Sequence, residues 1–165
     1  VDGGLISARR HSKGEDLGLV GEIESVNPSV LEAALAGGFL PVVATVAAGA
    51  DGAGAAHKAY NVNADTAAAA IAAALGAQKL VLLTDVPGIL RDVADQGTLV
   101  RELPRSGVEA LIKEGVVTKG MIPKVGCCAK AVGEGVSRAH IIDGRVPHSL
   151  LVELFTDAGI GTMIV

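Results

Sequence analysis

The stretch KLVLLTDVPGIL, residues 79–90, decides the fold class of this 165-residue chain. Its run of large apolar residues, 80–83, is typical of a strand that is buried on both faces, as in parallel sheets covered by helices. Thr84, Asp85 and a Pro-Gly turn follow, at the end of the strand where ligands of α/β proteins bind. Thr84 and Asp85 therefore either bind ribose hydroxyls or phosphate-bound water, or Asp85 closes a structural Asx turn. The residues alone leave both interpretations open.

Apolar runs and helical patterns alternate along the rest of the chain. Strands are predicted at 5–10, 19–25, 40–46, 80–84, 139–142 and 162–165, and helices at 28–36, 63–75, 106–114, 123–133 and 148–155. The Ala- and Gly-rich segment 47–59 is predicted to be a loop, and Ser106 and Glu109 are predicted to form a capping box. This alternation predicts an α/β fold in which helices sandwich a mainly parallel sheet.

The composition indicates one globular domain and argues against several kinds of partner. The formal net charge is −4 and no Lys/Arg stripe is present, so we expect no nucleic-acid partner. The longest small-apolar stretch, 64–77, is shorter than the roughly 20 residues of a spanning helix, so we expect no membrane span. The only cysteines are the adjacent Cys127 and Cys128, which predicts core packing in a reducing compartment rather than a disulfide or metal site.

Polar residues lead into an Ala-rich helix in YNVNADT, residues 60–66. Asn63 is suited to cap this helix, and Asp65 in its first turn complements the helix dipole. Capping does not explain Asn61, an amide held just before a positive helix end. We therefore favour a carboxylate-binding function for this motif over a purely structural one.

The segment KGMIPKV, residues 119–125, is a second candidate for ligand binding. Gly120 allows backbone conformations that other residues rarely adopt, and Pro123 fits the first position of a helix. Lys124 then lies in the first turn, where a cation is disfavoured, so its presence predicts a bound anion such as a polyphosphate. An exposed, solvated lysine is the alternative.

The tail AHIIDGRVPHSLLVELFTDAGIGTMIV, residues 139–165, places two histidines and several acids around a short helix. A single histidine at the end of a strand or helix is more often structural than a ligand, and no spacing matches a metal site. The residues alone leave the tail without a function.

Together, residues 60–77, 79–90, 111–128 and the tail resemble the N-acetylglutamate kinases of the amino-acid kinase superfamily. The blocks occur in the family's order and cover most of the chain after Tyr60. The resemblance implies a three-layer αβα sandwich of the carbamate kinase-like fold. Residues 1–165 are then expected to be its C-terminal, nucleotide-binding part, with the N-terminal half missing, so the chain alone should turn over poorly or not at all.

The resemblance also implies an activity: transfer of phosphate from ATP, with Mg²⁺, to the γ-carboxylate of N-acetyl-L-glutamate in arginine biosynthesis. Such a transfer needs alignment and charge neutralisation more than covalent help. Lys124 would stabilise the transferred phosphoryl group, and Asp65 would orient the catalytic lysines. Asn61 and Asn63 would bind the substrate, and the nucleotide contacts would come from Thr84, Asp85, Gly120, Met121 and Lys124.

The tail is similar to that of arginine-inhibited members, in which His140, Glu153 and Gly159 would bind L-arginine. Such members are typically hexamers. The sequence of the tail is similar to that of cyanobacterial, algal and plant members of the family. This similarity implies the PII signalling protein as a partner. It also implies a location in the chloroplast stroma if the protein is from an alga or plant, and otherwise in the cytoplasm. The alternatives are another amino-acid kinase and a non-catalytic module that senses arginine or binds PII.

Overall fold

A computed structural model describes residues 3–12, 14, 16–50, 58–118, 120–157 and 159–165. The chain divides into two compact units, unit 1 (Val1–Leu75) and unit 2 (Gly76–Val165). The described elements of unit 1 are β1 (Ile6–Arg10), β2 (Gly21–Val26), α1 (Ser29–Ala36), β3 (Val46–Gly49), β4 (Ala59–Asn61) and α2 (Ala64–Ala74).

The strands of unit 1 form one mixed sheet in the order β2-β1-β3-β4. β1 pairs antiparallel with β2 and parallel with β3, and β3 pairs antiparallel with β4. The core beneath the sheet is small, and Tyr60, 1% exposed, is its largest side chain. Gly21 permits this packing, because a Cβ at Gly21 would stand 2.6 Å from the Cβ of Tyr60.

The described helices and strands of unit 2 are β5 (Lys79–Thr84), β6 (Glu102–Leu103), α3 (Val108–Lys113), α4 (Ile122–Gly133), β7 (Arg138–Asp143), α5 (Ser149–Phe155) and β8 (Thr162–Ile164). Its strands form a second mixed sheet in the order β5-β7-β8-β6. β5 is parallel to β7 and β6 is parallel to β8, whereas β7 and β8 are antiparallel. Val125 and Cys128 on α4 are fully buried, which confirms the core position predicted for Cys128, whereas Cys127 beside it is only partly buried.

Most predicted elements are confirmed, but the strand predicted at 40–46 is wrong over 40–45. β3 begins at Val46 and runs through Gly49, inside the predicted loop 47–59; residues 51–57 lie outside the described part of the chain. Pairing with β1 and β4 overrides the weak strand propensity of this Ala- and Gly-rich segment. The short strands β4 and β6 were not predicted at all.

The other local corrections concern a cap and the strand directions. Ser106 lies within a 3₁₀ turn, Arg105–Gly107, and α3 starts at Val108 after Gly107 without a side-chain cap, so the capping box is not formed. The sheets are mixed rather than mainly parallel, since parallel and antiparallel pairs are equally frequent among the described strands. Consecutive strands such as β1 and β2 pair directly as a hairpin, which needs no crossover helix. No helix in the described ranges has the length and apolarity to cross a bilayer.

Candidate functional sites

The Asn-Val-Asn-Ala-Asp motif of unit 1 spans the junction between β4 and α2. Asn63 has extended backbone angles, and its side-chain oxygen accepts hydrogen bonds from the Thr66 N–H at 3.0 Å and hydroxyl at 3.2 Å. The predicted helix cap is thereby confirmed. Asp65 is half-buried in the first turn of α2.

Asn61 is bonded through its backbone and leaves its side chain exposed. The Asn61 N–H donates to the Leu19 carbonyl at 2.8 Å, and the next residue, Val62, is buried. The Asn61 amide group makes no hydrogen bond to the described residues. The Asn61 amide group is therefore available to a ligand, as the predicted carboxylate-binding function requires.

In unit 2, the carboxyl ends of β5 and β7 lie side by side, with Thr84 in register with Asp143. The Thr84 hydroxyl donates to the Val86 carbonyl at 2.8 Å and accepts from the Val86 N–H at 3.1 Å. The turn is therefore closed by the threonine hydroxyl. The Asx alternative, in which the Asp85 carboxylate closes the turn, is wrong. Asp85 instead lines a cavity next to the turn.

This Asp85 cavity has a volume of about 240 Å³ and walls that are largely apolar. It brings together Asp85 and Met121, two of the predicted nucleotide contacts. Thr84, Gly120 and Lys124 do not line it; Gly120 is exposed, and Lys124 is half-buried in the first turn of α4. The lining comprises Asp85, Val86, Pro87, Gly88, Ile89, Leu90, Val93, Gln96, Val116, Val117, Thr118, Met121 and Arg145.

Arg145, in the lining of the Asp85 cavity, was not predicted. Its guanidinium donates to both carboxylate oxygens of Asp143, at 3.0 and 2.9 Å. These hydrogen bonds, and then the field of Asp85, raise the pKa of Arg145 above its ordinary value, and the bonds lower the pKa of Asp143. Its position in the sequence could have indicated this, because Arg145 follows closely after a strand, and ligands of α/β proteins bind at the carboxyl ends of strands.

Two of the three tail residues predicted to bind arginine, His140 and Glu153, form a buried pair in unit 2. His140 Nδ1 lies 2.7 Å from Glu153 Oε1, and both side chains are 5% exposed. The other carboxylate oxygen accepts the N–H groups of Ile160 at 2.6 Å and Gly161 at 3.1 Å. The carboxylate thus joins β7 and α5 to the loop before β8.

The hydrogen bonds favour the ionised form of Glu153. Burial by itself raises the pKa of Glu153, but the Ile160 N–H, His140 and the Gly161 N–H together lower it below its usual range. Because the ionised carboxylate accepts the Nδ1 proton, a neutral imidazole offers its Nε2 as an acceptor. That nitrogen is buried and has no hydrogen-bond partner among the described residues.

His140 and Glu153 line a second, polar cavity of about 460 Å³, the His140 cavity. Gly159 belongs to it, so all three residues predicted for arginine are brought together. Residues of both charges surround them, which suits a ligand that itself carries both charges. The lining comprises Lys79, Arg101, Glu102, Arg138, His140, Glu153, Leu154, Thr156, Asp157, Gly159, Gly161 and Met163.

Comparison with known proteins shows that the chain matches a family model and is similar in sequence to several known enzymes. The amino acid kinase family model matches residues 1–143. The chain is 50% identical to the acetylglutamate kinase of Clostridium kluyveri over 164 residues, which are 99% of the chain and 56% of that enzyme. It is 54% identical to the acetylglutamate kinase of a Nostoc species over 163 residues, 99% of the chain and 53% of that enzyme.

A solved structure extends the similarity to three dimensions. The N-acetylglutamate synthase of Neisseria gonorrhoeae, complexed with coenzyme A and L-arginine, superposes with a TM-score of 0.84 at 30% identity. The match covers 98% of this chain and 36% of that one. The chain spans about half the length of the curated relatives it matches, and its position within a full-length relative stays a prediction.

Proposed function

We propose that this chain, which belongs to the amino acid kinase family, is part of an acetylglutamate kinase that phosphorylates the γ-carboxylate of N-acetyl-L-glutamate with ATP. The observation that carries the proposal is the 50–54% identity to the acetylglutamate kinases of Clostridium and Nostoc along 99% of the chain. The exposed Asn61 amide and the Asp85 cavity support it from the structure.

In the proposed reaction, a carboxylate oxygen of the substrate attacks the γ-phosphorus of ATP, and the bond to the β-phosphate oxygen breaks as ADP leaves. The substrate carboxylate is already ionised at neutral pH, so no general base is needed. The protein must align two anions and neutralise the charge that collects between them.

Unit 2 supplies the proposed nucleotide contacts and one cation. The apolar walls of the Asp85 cavity suit the adenine ring, and the Asp85 carboxylate is an acceptor for ribose hydroxyls. The ammonium group of Lys124, in the first turn of α4, would stabilise the phosphoryl group in transfer. Thr84 and Gly120 would shape the backbone next to the nucleotide and would not contact it through a side chain. The Thr84 hydroxyl is hydrogen-bonded within its own turn.

Unit 1 supplies the proposed contacts to the amino-acid substrate. The Asn61 amide is a neutral donor for a substrate carboxylate, and Asn63 fixes the start of α2 beside it. Asp65 would orient the ammonium groups of catalytic lysines rather than accept a proton. The described residues contain no group of three metal-ligating side chains, and Mg²⁺ commonly binds through substrate phosphates with only one or two carboxylates.

The His140 cavity supports inhibition by L-arginine. The unpartnered His140 Nε2 can accept a hydrogen bond from a guanidinium or ammonium group, and acidic residues line the same cavity. Lys79, Arg101 and Arg138 can receive the α-carboxylate of the same ligand. A hexamer, the PII partner and the chloroplast or cytoplasmic location rest on the sequence resemblance alone.

The test uses a completed polypeptide, in which this chain is joined to the part of the Nostoc enzyme that it does not match. Formation of ADP from ATP is measured with N-acetylglutamate, with and without arginine. Turnover that depends on N-acetylglutamate and falls with arginine is expected. Arginine binding without turnover would favour the non-catalytic sensor, and turnover of a different acyl acceptor would favour another amino-acid kinase.

A further inference from the structure

The turn that follows β5, residues 85–90, forms much of the wall of the Asp85 cavity. Gly88 and Ile89 in this turn are buried, so its second half is set into the core of unit 2. The Thr84 hydroxyl fixes the beginning of the turn through its two hydrogen bonds to Val86. The end of the turn is held by a different group.

A second threonine hydroxyl, that of Thr162 at the start of β8, holds the end of the turn. The Ile89 N–H donates to Thr162 Oγ1 at 2.8 Å, in a buried hydrogen bond between residues 73 positions apart. The Ile89 carbonyl accepts the Val100 N–H, also at 2.8 Å. Of these two bonds, the one to Thr162 depends on a side chain and can therefore be removed by substitution.

Gly88 shows how closely Thr162 packs against the turn. A Cβ at Gly88 would lie only 2.6 Å from Thr162 Oγ1. Gly88 also has a φ of +144°, which residues with a side chain rarely adopt. The Thr162 hydroxyl therefore lies against two consecutive residues of the cavity wall, Gly88 and Ile89.

Thr162 is itself held firmly in unit 2. It is fully buried and in register with Ile141 of the antiparallel strand β7. The N–H of the preceding residue, Gly161, donates to the Glu153 carboxylate at 3.1 Å. Valine would fill nearly the same space without a hydroxyl to bury, so the bond to Ile89 is what threonine adds at this position.

We propose that Thr162 is a positioning residue for the nucleotide. Its hydroxyl holds Gly88 and Ile89 in the conformation in which the wall of the Asp85 cavity receives an adenine nucleotide. Thr162 does not line the cavity itself, so it acts through the turn and not by contact with the ligand. The inference rests on the proposed function, because it takes the Asp85 cavity as the nucleotide site.

Titration calorimetry of ADP binding to the completed polypeptide tests the proposal. Thr162→Val removes the acceptor for the Ile89 N–H, and the dissociation constant for ADP is expected to rise at least about tenfold. Thr162→Ser keeps the hydroxyl and is expected to stay within about threefold of the wild type. Equal ADP affinity in the wild type and Thr162→Val would overturn the inference alone. A wild type that binds no ADP would overturn the proposed function and the inference with it.

Steady-state kinetics separate positioning from a general loss of stability. Thr162→Val is expected to raise KM for ATP at least about tenfold and to leave KM for N-acetylglutamate within about twofold, because the proposed substrate contacts lie in unit 1. Val136→Ala is the control, since Val136 is buried in unit 2 and lines neither the Asp85 cavity nor the His140 cavity. It is expected to lower the urea midpoint without changing either KM. The same rise in KM for ATP in both variants would contradict the proposal.

Hydrogen exchange in the completed polypeptide tests the same hydrogen bond without any substitution, and so decides the proposal even where Thr162→Val does not fold. The Ile89 amide is compared with the Asp92 amide, which donates to the Thr98 hydroxyl in an exposed loop. Ile89 is expected to exchange at least about tenfold more slowly than Asp92, with and without ADP, because the turn is held before the nucleotide binds. Protection of Ile89 that appeared only with ADP would overturn the proposal.

Discussion

The Glu153 carboxylate accepts hydrogen bonds from three different residues of unit 2. Its oxygens accept from His140 and from the Ile160 and Gly161 N–H groups, so Glu153→Gln replaces one acceptor oxygen by a donor facing N–H groups. We expect a loss of about 1–3 kcal/mol in the free energy of unfolding at pH 7. Urea unfolding measures it, with the exposed Glu109→Gln as a control that should be nearly neutral.

The same carboxylate predicts a pH dependence. The pKa of Glu153 is lowered on folding, so its contribution is fully present above the unfolded value, 4.5, and is lost as the pH falls through the folded value. The difference in unfolding free energy between the wild type and Glu153→Gln should therefore be constant near neutral pH and shrink in acid. A difference that grew as the pH fell would contradict the assignment.

Substitution of Lys124 is expected to reduce catalysis without affecting folding. In the completed polypeptide, Lys124→Ala removes a cation from the proposed phosphoryl site, and we expect kcat to fall at least about 100-fold with the fold intact. Lys130→Ala is the matched control, because Lys130 lies on the same helix and pairs with Glu134 at the surface. Equal activity of the two variants would remove Lys124 from the mechanism.

At the scale of elements, two glycines should respond in opposite directions to the same change. A Cβ at Gly161 would collide with the Ile141 carbonyl and the Ile142 side chain, so Gly161→Ala should cost about 1–3 kcal/mol of stability. Gly126 lies within α4 with open space where a Cβ would stand, so Gly126→Ala should stabilise by about 0.5–1 kcal/mol. Urea unfolding of both variants tests the packing; a neutral Gly161→Ala would contradict it.

The start of α2 gives a second prediction at this scale. Asn63→Ala removes the acceptor for the Thr66 N–H and should cost about 1 kcal/mol of stability. Asn63→Asp keeps an acceptor in the same place and should cost less. If both changes had the same effect, the cap would not be the reason for the loss.

At the scale of the whole molecule, unit 2 is the better candidate for independent folding, because more of the buried apolar side chains belong to it than to unit 1. All strands of the sheet β5-β7-β8-β6 lie within residues 76–165, together with the buried face of α4. We expect a polypeptide of residues 76–165 to unfold cooperatively in urea. A gradual, non-cooperative loss of ellipticity would show that unit 2 needs further chain.

The sequence by itself determined features that depend on neighbours along the chain. Helices 28–36, 63–75 and 123–133 were predicted from periodicity and their end residues, and the Asn63 cap from residue type alone. The resemblance of residues 60–77, 79–90, 111–128 and 139–165 to the acetylglutamate kinases indicated the family that the comparisons show.

Only the tertiary structure decided which residues meet across long separations. It paired β3 with strands on both sides, placed Arg145 in the Asp85 cavity and joined His140 to Glu153 in a buried pair. Local patterns report helical and strand periods, whereas these contacts depend on where the chain returns after many residues. For the same reason residues 40–45, which have the pattern of a strand, are not one: a strand exists only where a partner strand is present.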